Sequence, residues 1–154
     1  MRYLIGIGNY NSGDDGIGPR VVEEIEARGL QEGFRAIDLS ANSLNLVSYL
    51  APETEAILVV DSARMGLAPG EMRFFGPEQV ETRKTLAGIS THEGDVLKVV
   101  ELARAVGYVV PPLRLMGIEP ATIQAGAGLS AALRENLPAY VAAAIGELMR
   151  MSRR

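Results

Sequence analysis

The sequence predicts a three-layer α/β domain built on a mostly parallel sheet. Two observations carry this. Short apolar runs alternate with segments of helical periodicity along most of the chain, the pattern of a parallel sheet under helices. One of those runs, Ala56-Ile57-Leu58-Val59-Val60, is unbroken by any polar residue. A strand of that composition is buried on both faces, as parallel strands covered by helices are. The chain has 154 residues and 47% hydrophobic content, enough for a full core, so residues 1–154 are read as one domain.

The elements follow in order. Residues 3–7 form a short apolar strand. Ile17, Val21 and Ile25 then share one helical face, with Arg20, Glu23, Glu24 and Arg28 around it. Residues 34–39 read as a second strand. Residues 44–50 read as a short helix stopped by Pro52. The unbroken apolar run is the third strand, and residues 72–75 are a weaker fourth, reached through the turn at residues 66–70. No helical pattern separates the third and fourth strands, so one strand is free to run antiparallel. Val96, Val100 and Ala103 mark a helix whose Lys98, Glu101 and Arg104 face water. Residues 113–117 are the last strand. A terminal helix runs from Ser130, broken or restarted at Pro138, and its basic end at Arg150, Arg153 and Arg154 suits a helix C-terminus.

Composition excludes several classes. With no Cys there are no disulfides, thiolate metal sites, iron–sulfur clusters or Cys nucleophile. A net charge of −4 gives no footprint for nucleic acid or anionic lipid. The first apolar run ends at Ile7, too short for a signal peptide, and no stretch is long enough to cross a membrane. A cytoplasmic protein is expected, and nothing in the acidic surface calls for more than a monomer.

In open α/β sheets, ligands bind beyond the carboxyl ends of the strands. The segment GIGNYNSGDDGIG, from Gly6 to Gly18, lies at that end of the first strand. It resembles a dinucleotide turn, but the third glycine of that fingerprint falls on Asn11. Charge also argues against it. A pyrophosphate needs a positive helix end, and Asp14 and Asp15 stand there instead. Like charges ~4 Å apart cost roughly 1 to 4 kcal/mol per pair. A cation suits this turn better. Pro19 belongs to the first helical turn, so the helix begins near Gly16, and Asp15 stands just outside it. Asp14 reads as a helix cap; for Asp15, a cap and a ligand are both open.

Two more residues reach the same rim. Asp61 ends the buried third strand; alone it reads equally as a loop acid bonding nearby N–H groups. His92, the only histidine, lies in Ser90-Thr91-His92-Glu93, which matches a capping box. With Ser90 as N-cap, His92 sits in the first helical turn, where the positive helix end favours the neutral imidazole a metal requires. Alone it reads as a surface histidine beside a cap. Together, two carboxylates and one imidazole form a partial coordination sphere for a borderline ion such as Ni²⁺ or Zn²⁺. One histidine rules out a His-Glu-x-x-His site, and no Gly-x-Ser-x-Gly elbow is present.

These blocks, with LVVDSARMG, ISTHEGD and MGIEPATIQAGAGLS, resemble the [NiFe]-hydrogenase maturation endopeptidases over most of the chain. The resemblance implies a five-stranded, mostly parallel sheet with one antiparallel strand, of the phosphorylase/hydrolase-like type. It implies an aspartic-type endopeptidase, by family label, that removes a C-terminal extension from the hydrogenase large-subunit precursor after nickel insertion. The family's metal-contacting residues fall on Asp15, Asp61 and His92. A further family acid falls on Asp38, but Leu39-Ser40-Ala41 departs from the family pattern after it. The nickel is then presented by the precursor, with Cd²⁺ or Zn²⁺ able to substitute. Water is activated by the metal or by a carboxylate; both routes are open. Two rival readings are a non-catalytic metal- or nucleotide-binding module and a docking chaperone. Residues 76–89 have little periodicity, flank His92, and are expected to contribute to precursor choice.

Overall fold

The computed structural model describes residues 1–79 and 92–151, with the side chains of residues 92–94 excepted. Five strands form one sheet: β1 (Arg2–Ile7), β2 (Arg35–Ser40), β3 (Ala56–Ser62), β4 (Met72–Phe75) and β5 (Leu113–Ile118). Their order is β2-β1-β3-β5-β4. All neighbours are parallel except β4, which runs antiparallel against β5 at the sheet edge. That antiparallel strand is the one with no helix between it and its predecessor. Among the described residues the helices are α1 (Ile17–Ala27), α2 (His92–Ala105) and α3 (Ala131–Arg150), with 3₁₀ segments at Gly13–Gly16 and Ser43–Tyr49; residues 77–79 are also helical. No helix of the described residues is long and apolar enough to cross a membrane.

Strand alternation divides the core into two layers. Leu4, Leu58, Val60 and Met116 face α1 and α3, meeting Ile17, Val21, Ile25, Val141 and Leu148. Ile5, Ile57, Val59 and Leu115 face α2 and the second 3₁₀ segment, meeting Val96, Val100, Ala103 and Leu46. β3 is buried along its whole length, as its composition predicts.

Two elements depart from the sequence reading. The segment expected as a helix at residues 44–50 winds as 3₁₀ rather than α, over Ser43–Tyr49. The terminal helix neither breaks nor restarts: α3 runs unbroken through Pro138. Pro138 removes the N–H that would bond the carbonyl of Arg134, four residues back. Both residues are exposed, so the carbonyl that loses this donor is open to solvent rather than buried. The capping box at Ser90 and most of the segment at residues 76–89 lie outside the described residues.

The strand order reverses between β1 and β3. Beyond their carboxyl ends, the chain leaving β1 departs toward β2 while β3 continues on the other side, which opens a crevice.

Candidate active site at the strand ends

Asp15 and Asp61 meet at this crevice. Glycine allows the approach. Gly18 packs so closely under β1 and β3 that a Cβ on it would stand 2.4 Å from the Val60 carbonyl oxygen and 2.5 Å from that of Ile7. Gly6 is equally closed, with the Gly18 carbonyl oxygen 2.4 Å from where its Cβ would be. The start of α1 is thus pressed directly onto the sheet, which brings the turn before it down to the strand ends. Gly8 adopts φ +138°, and a Cβ there would meet the Asp15 carbonyl oxygen at 2.0 Å and Asp61 Oδ1 at 3.6 Å. Gly8→Ala combines this collision with a backbone angle that L residues rarely adopt. It is expected to cost about 3 kcal/mol or more, read by urea denaturation. A variant as stable as wild type would show that the turn relaxes freely.

Asp15 lies in the 3₁₀ segment, one residue before the N-cap of α1, and is 9% exposed. Its Oδ2 accepts the Asn9 N–H at 3.0 Å, and its Oδ1 accepts the Ser62 hydroxyl at 3.0 Å. Asp61 is 1% exposed, and its Oδ1 accepts the Ser62 N–H at 2.8 Å. Ser62 therefore ties the two carboxylates together, through its side chain to one and its backbone to the other. The sequence reading missed Ser62. The available signal was alternation: Ser62 follows Asp61 on β3, so its side chain faces the α1 layer, where Asp15 arrives.

Asp61 itself projects to the opposite layer, that of Ile57 and Val59, which α2 covers. Among the described residues α2 begins at His92, and this helix covers the layer to which Asp61 projects; the His92 side chain lies outside the described residues. Among the described residues no three His, Cys, Asp or Glu side chains cluster for a metal. The described part of the proposed ligand set is the Asp15–Asp61 pair.

Asp14 does not cap its helix. No side chain caps the 3₁₀ segment or α1. Fully buried, Asp14 points away from Asp15 into the chain that follows β5. Its Oδ2 accepts the N–H groups of Ala121 and Thr122 at 2.8 and 3.2 Å and the Ser130 hydroxyl at 2.8 Å, and its Oδ1 accepts the Ser130 N–H at 2.7 Å. The 3₁₀ winding explains the divergence: at three residues per turn, adjacent side chains point about 120° apart. Asp38 is exposed on β2, and its Oδ1 accepts the N–H and hydroxyl of Ser40 at 2.7 and 3.0 Å. Those bonds hold the one non-glycine residue with positive φ among the described residues, Ser40 at 51°. That is a local structural task.

Glu119, also missed, is buried beyond the end of β5. Its Oε1 accepts the N–H groups of Met65 and Leu67 at 2.7 and 3.0 Å, which fixes the chain leaving Asp61. It is a strand-end acid like Asp61, and the same search for acids at strand tips finds it.

Residues 19–147 match the sequence profile of the hydrogenase maturation proteases. The chain is 29% identical over 147 residues to the hydrogenase expression/formation protein HupD of Rhodobacter capsulatus, spanning 94% of this chain and 70% of HupD. It is 28% identical over 118 residues to the hydrogenase 3 maturation protease of Escherichia coli (strain K12), spanning 76% and 71%. In fold it is similar to the hydrogenase maturating endopeptidase HybD from E. coli, with a TM-score of 0.81 over 97% of this chain and 92% of HybD at 22% identity. With the profile covering most of the chain, the protein belongs to the hydrogenase maturation protease family and is a peptidase.

Proposed function

We propose that this peptidase removes the C-terminal extension of a [NiFe]-hydrogenase large-subunit precursor, and that nickel already seated in the precursor is what it recognises. The observation that supports this most is the pairing of Asp15 and Asp61 through Ser62 at the β1–β3 crevice. Two carboxylates bonded to the same serine gain from a divalent cation between them. With the His92 imidazole they make an oxygen–nitrogen donor set suited to Ni²⁺, and Cd²⁺ or Zn²⁺ as substitutes. The nickel belongs to the substrate. When it is engaged, the attached peptide is held against the crevice, and docking turns cleavage into a proximity problem. Asp15 and Asp61 then serve as anionic ligands and stand ready to take a proton from the attacking water.

Mass spectrometry of a nickel-loaded precursor incubated with the protein tests this. A shortened C-terminus is expected, and the nickel-free precursor should stay whole. Equal cleavage of both would overturn nickel as the signal; an intact but bound precursor would make the protein a docking chaperone. His92→Ala is expected to abolish cleavage while changing stability by no more than about 1 kcal/mol, as most substitutions near a helix start do. Loss of the fold along with activity would make His92 structural.

A further inference from the structure

Two uncharged stretches lie beside the Asp15 turn. In a chain in which 22% of residues are charged, residues 8–13 and residues 120–133 carry no charge at all. They are far apart in sequence, yet the fold joins them. The Gly13 N–H bonds the Ala127 carbonyl at 3.0 Å, the Gly126 N–H bonds that of Asn11 at 2.7 Å, and the Asp14 N–H bonds that of Thr122 at 2.9 Å. The Asp14 carboxylate adds its four bonds to Ala121, Thr122 and Ser130 from below. The turn is anchored in its own right: the Arg20 guanidinium lies 3.7 Å over the Tyr10 ring, and the Tyr10 hydroxyl donates to Glu23 at 2.8 Å.

This much bonding holds residues 121–126, a segment that contributes nothing to the core clusters. Residues 121–126 are all exposed, Ile123 at 45%. A surface loop is ordinarily free to be polar and mobile. This one is uncharged, presents a large aliphatic side chain to solvent, and is fixed by a buried carboxylate. Depletion of charge is the compositional mark of an interface centre, and a pre-ordered loop avoids the entropy cost of ordering on binding. Its occupant follows from its position. The loop is bonded directly to the turn that carries Asp15, so a protein whose cleaved segment reaches Asp15 lies against it.

We infer that the joined loops, with Ile123 at their centre, are the surface on which the folded precursor docks, separate from the residues that engage its metal. The inference rests on the proposed precursor reading. Ile123 and its neighbours are specificity residues that touch the body of the substrate and take no part in bond cleavage.

The test is steady-state processing of purified nickel-loaded precursor by wild type, Ile123→Glu and Ala125→Glu, with Val106→Glu as control. Val106, 65% exposed, follows the C-terminal end of α2, away from the strand ends. Thermal unfolding confirms that each variant is folded, and the two loop substitutions guard against loss of either one. A charge placed in the docking face should raise KM about tenfold or more, with kcat within about twofold of wild type. Val106→Glu should match wild type in both. An unchanged KM in a folded loop variant, a fall in kcat alone, or an equal effect in the control would overturn the docking surface while leaving the precursor reading intact. If wild type leaves the precursor whole, the functional reading fails first, and this inference falls with it.

Discussion

Asp61→Asn is expected to leave the protein folded and to lower processing of the nickel-loaded precursor by on the order of 10²-fold or more, the scale on which loss of a catalytic acid–base or metal-engaging group is felt. The reason is the split between what the side chain holds and what it offers. Its Oδ1 accepts the Ser62 N–H at 2.8 Å, and an asparagine carbonyl oxygen can make the same bond in the same volume. Stability should therefore change by no more than about 1 kcal/mol. What would be lost, on the proposed reading, is the second anionic ligand. Calorimetric titration of the free enzyme with Cd²⁺ or Ni²⁺ should show a matching fall in affinity. Because a metal competes with protons for the imidazole and carboxylates, wild-type affinity should weaken as pH falls. An Asp61→Asn protein that cleaves at the wild-type rate would remove Asp61 from the site.

Asp14→Ala is expected to do the opposite: to damage the fold. Removing this carboxylate strips the acceptor from three N–H groups and one hydroxyl around a side chain with 0% exposure. Hydrogen bonds to a charged group contribute about 1.5–3 kcal/mol each, and buried donors left unsatisfied are costly. Exposure of residues 121–126 lets water replace part of the loss, so the expected destabilisation is about 3–5 kcal/mol. Had Asp14 been a helix cap, the cost would be only about 1 kcal/mol. Urea denaturation separates the two. A change near the smaller figure would show that the loop is held by its backbone bonds alone.

The adjacent pair Asp14-Asp15 marks where sequence reasoning stops. Periodicity and composition determined the strands, their alternation with α1 and α2, the deep burial of β3, and the placing of Asp15 and Asp61 at strand ends. These follow from residues near one another in the chain: an apolar run ends, a turn begins, and the acid at the junction stands at the rim. Pro19 fixed the start of α1 for the same reason. Which acid faces the crevice was decided by the winding of one 3₁₀ turn and by a loop more than a hundred residues later. No local pattern reports that Ala121, Thr122 and Ser130 present four donors to Asp14. The same holds for Ser62, whose role exists only because Asp15 arrives on its side of the sheet, and for Glu119, whose partners lie across β5. Pro138 is the converse case: a local rule predicted a break, and solvent exposure of the helix face around it removed the need for one. The sequence thus determined which residues stand at the strand ends. The tertiary structure decided what each of them touches, because hydrogen-bond partners at a strand-end crevice come from segments distant in the chain and brought together only by folding.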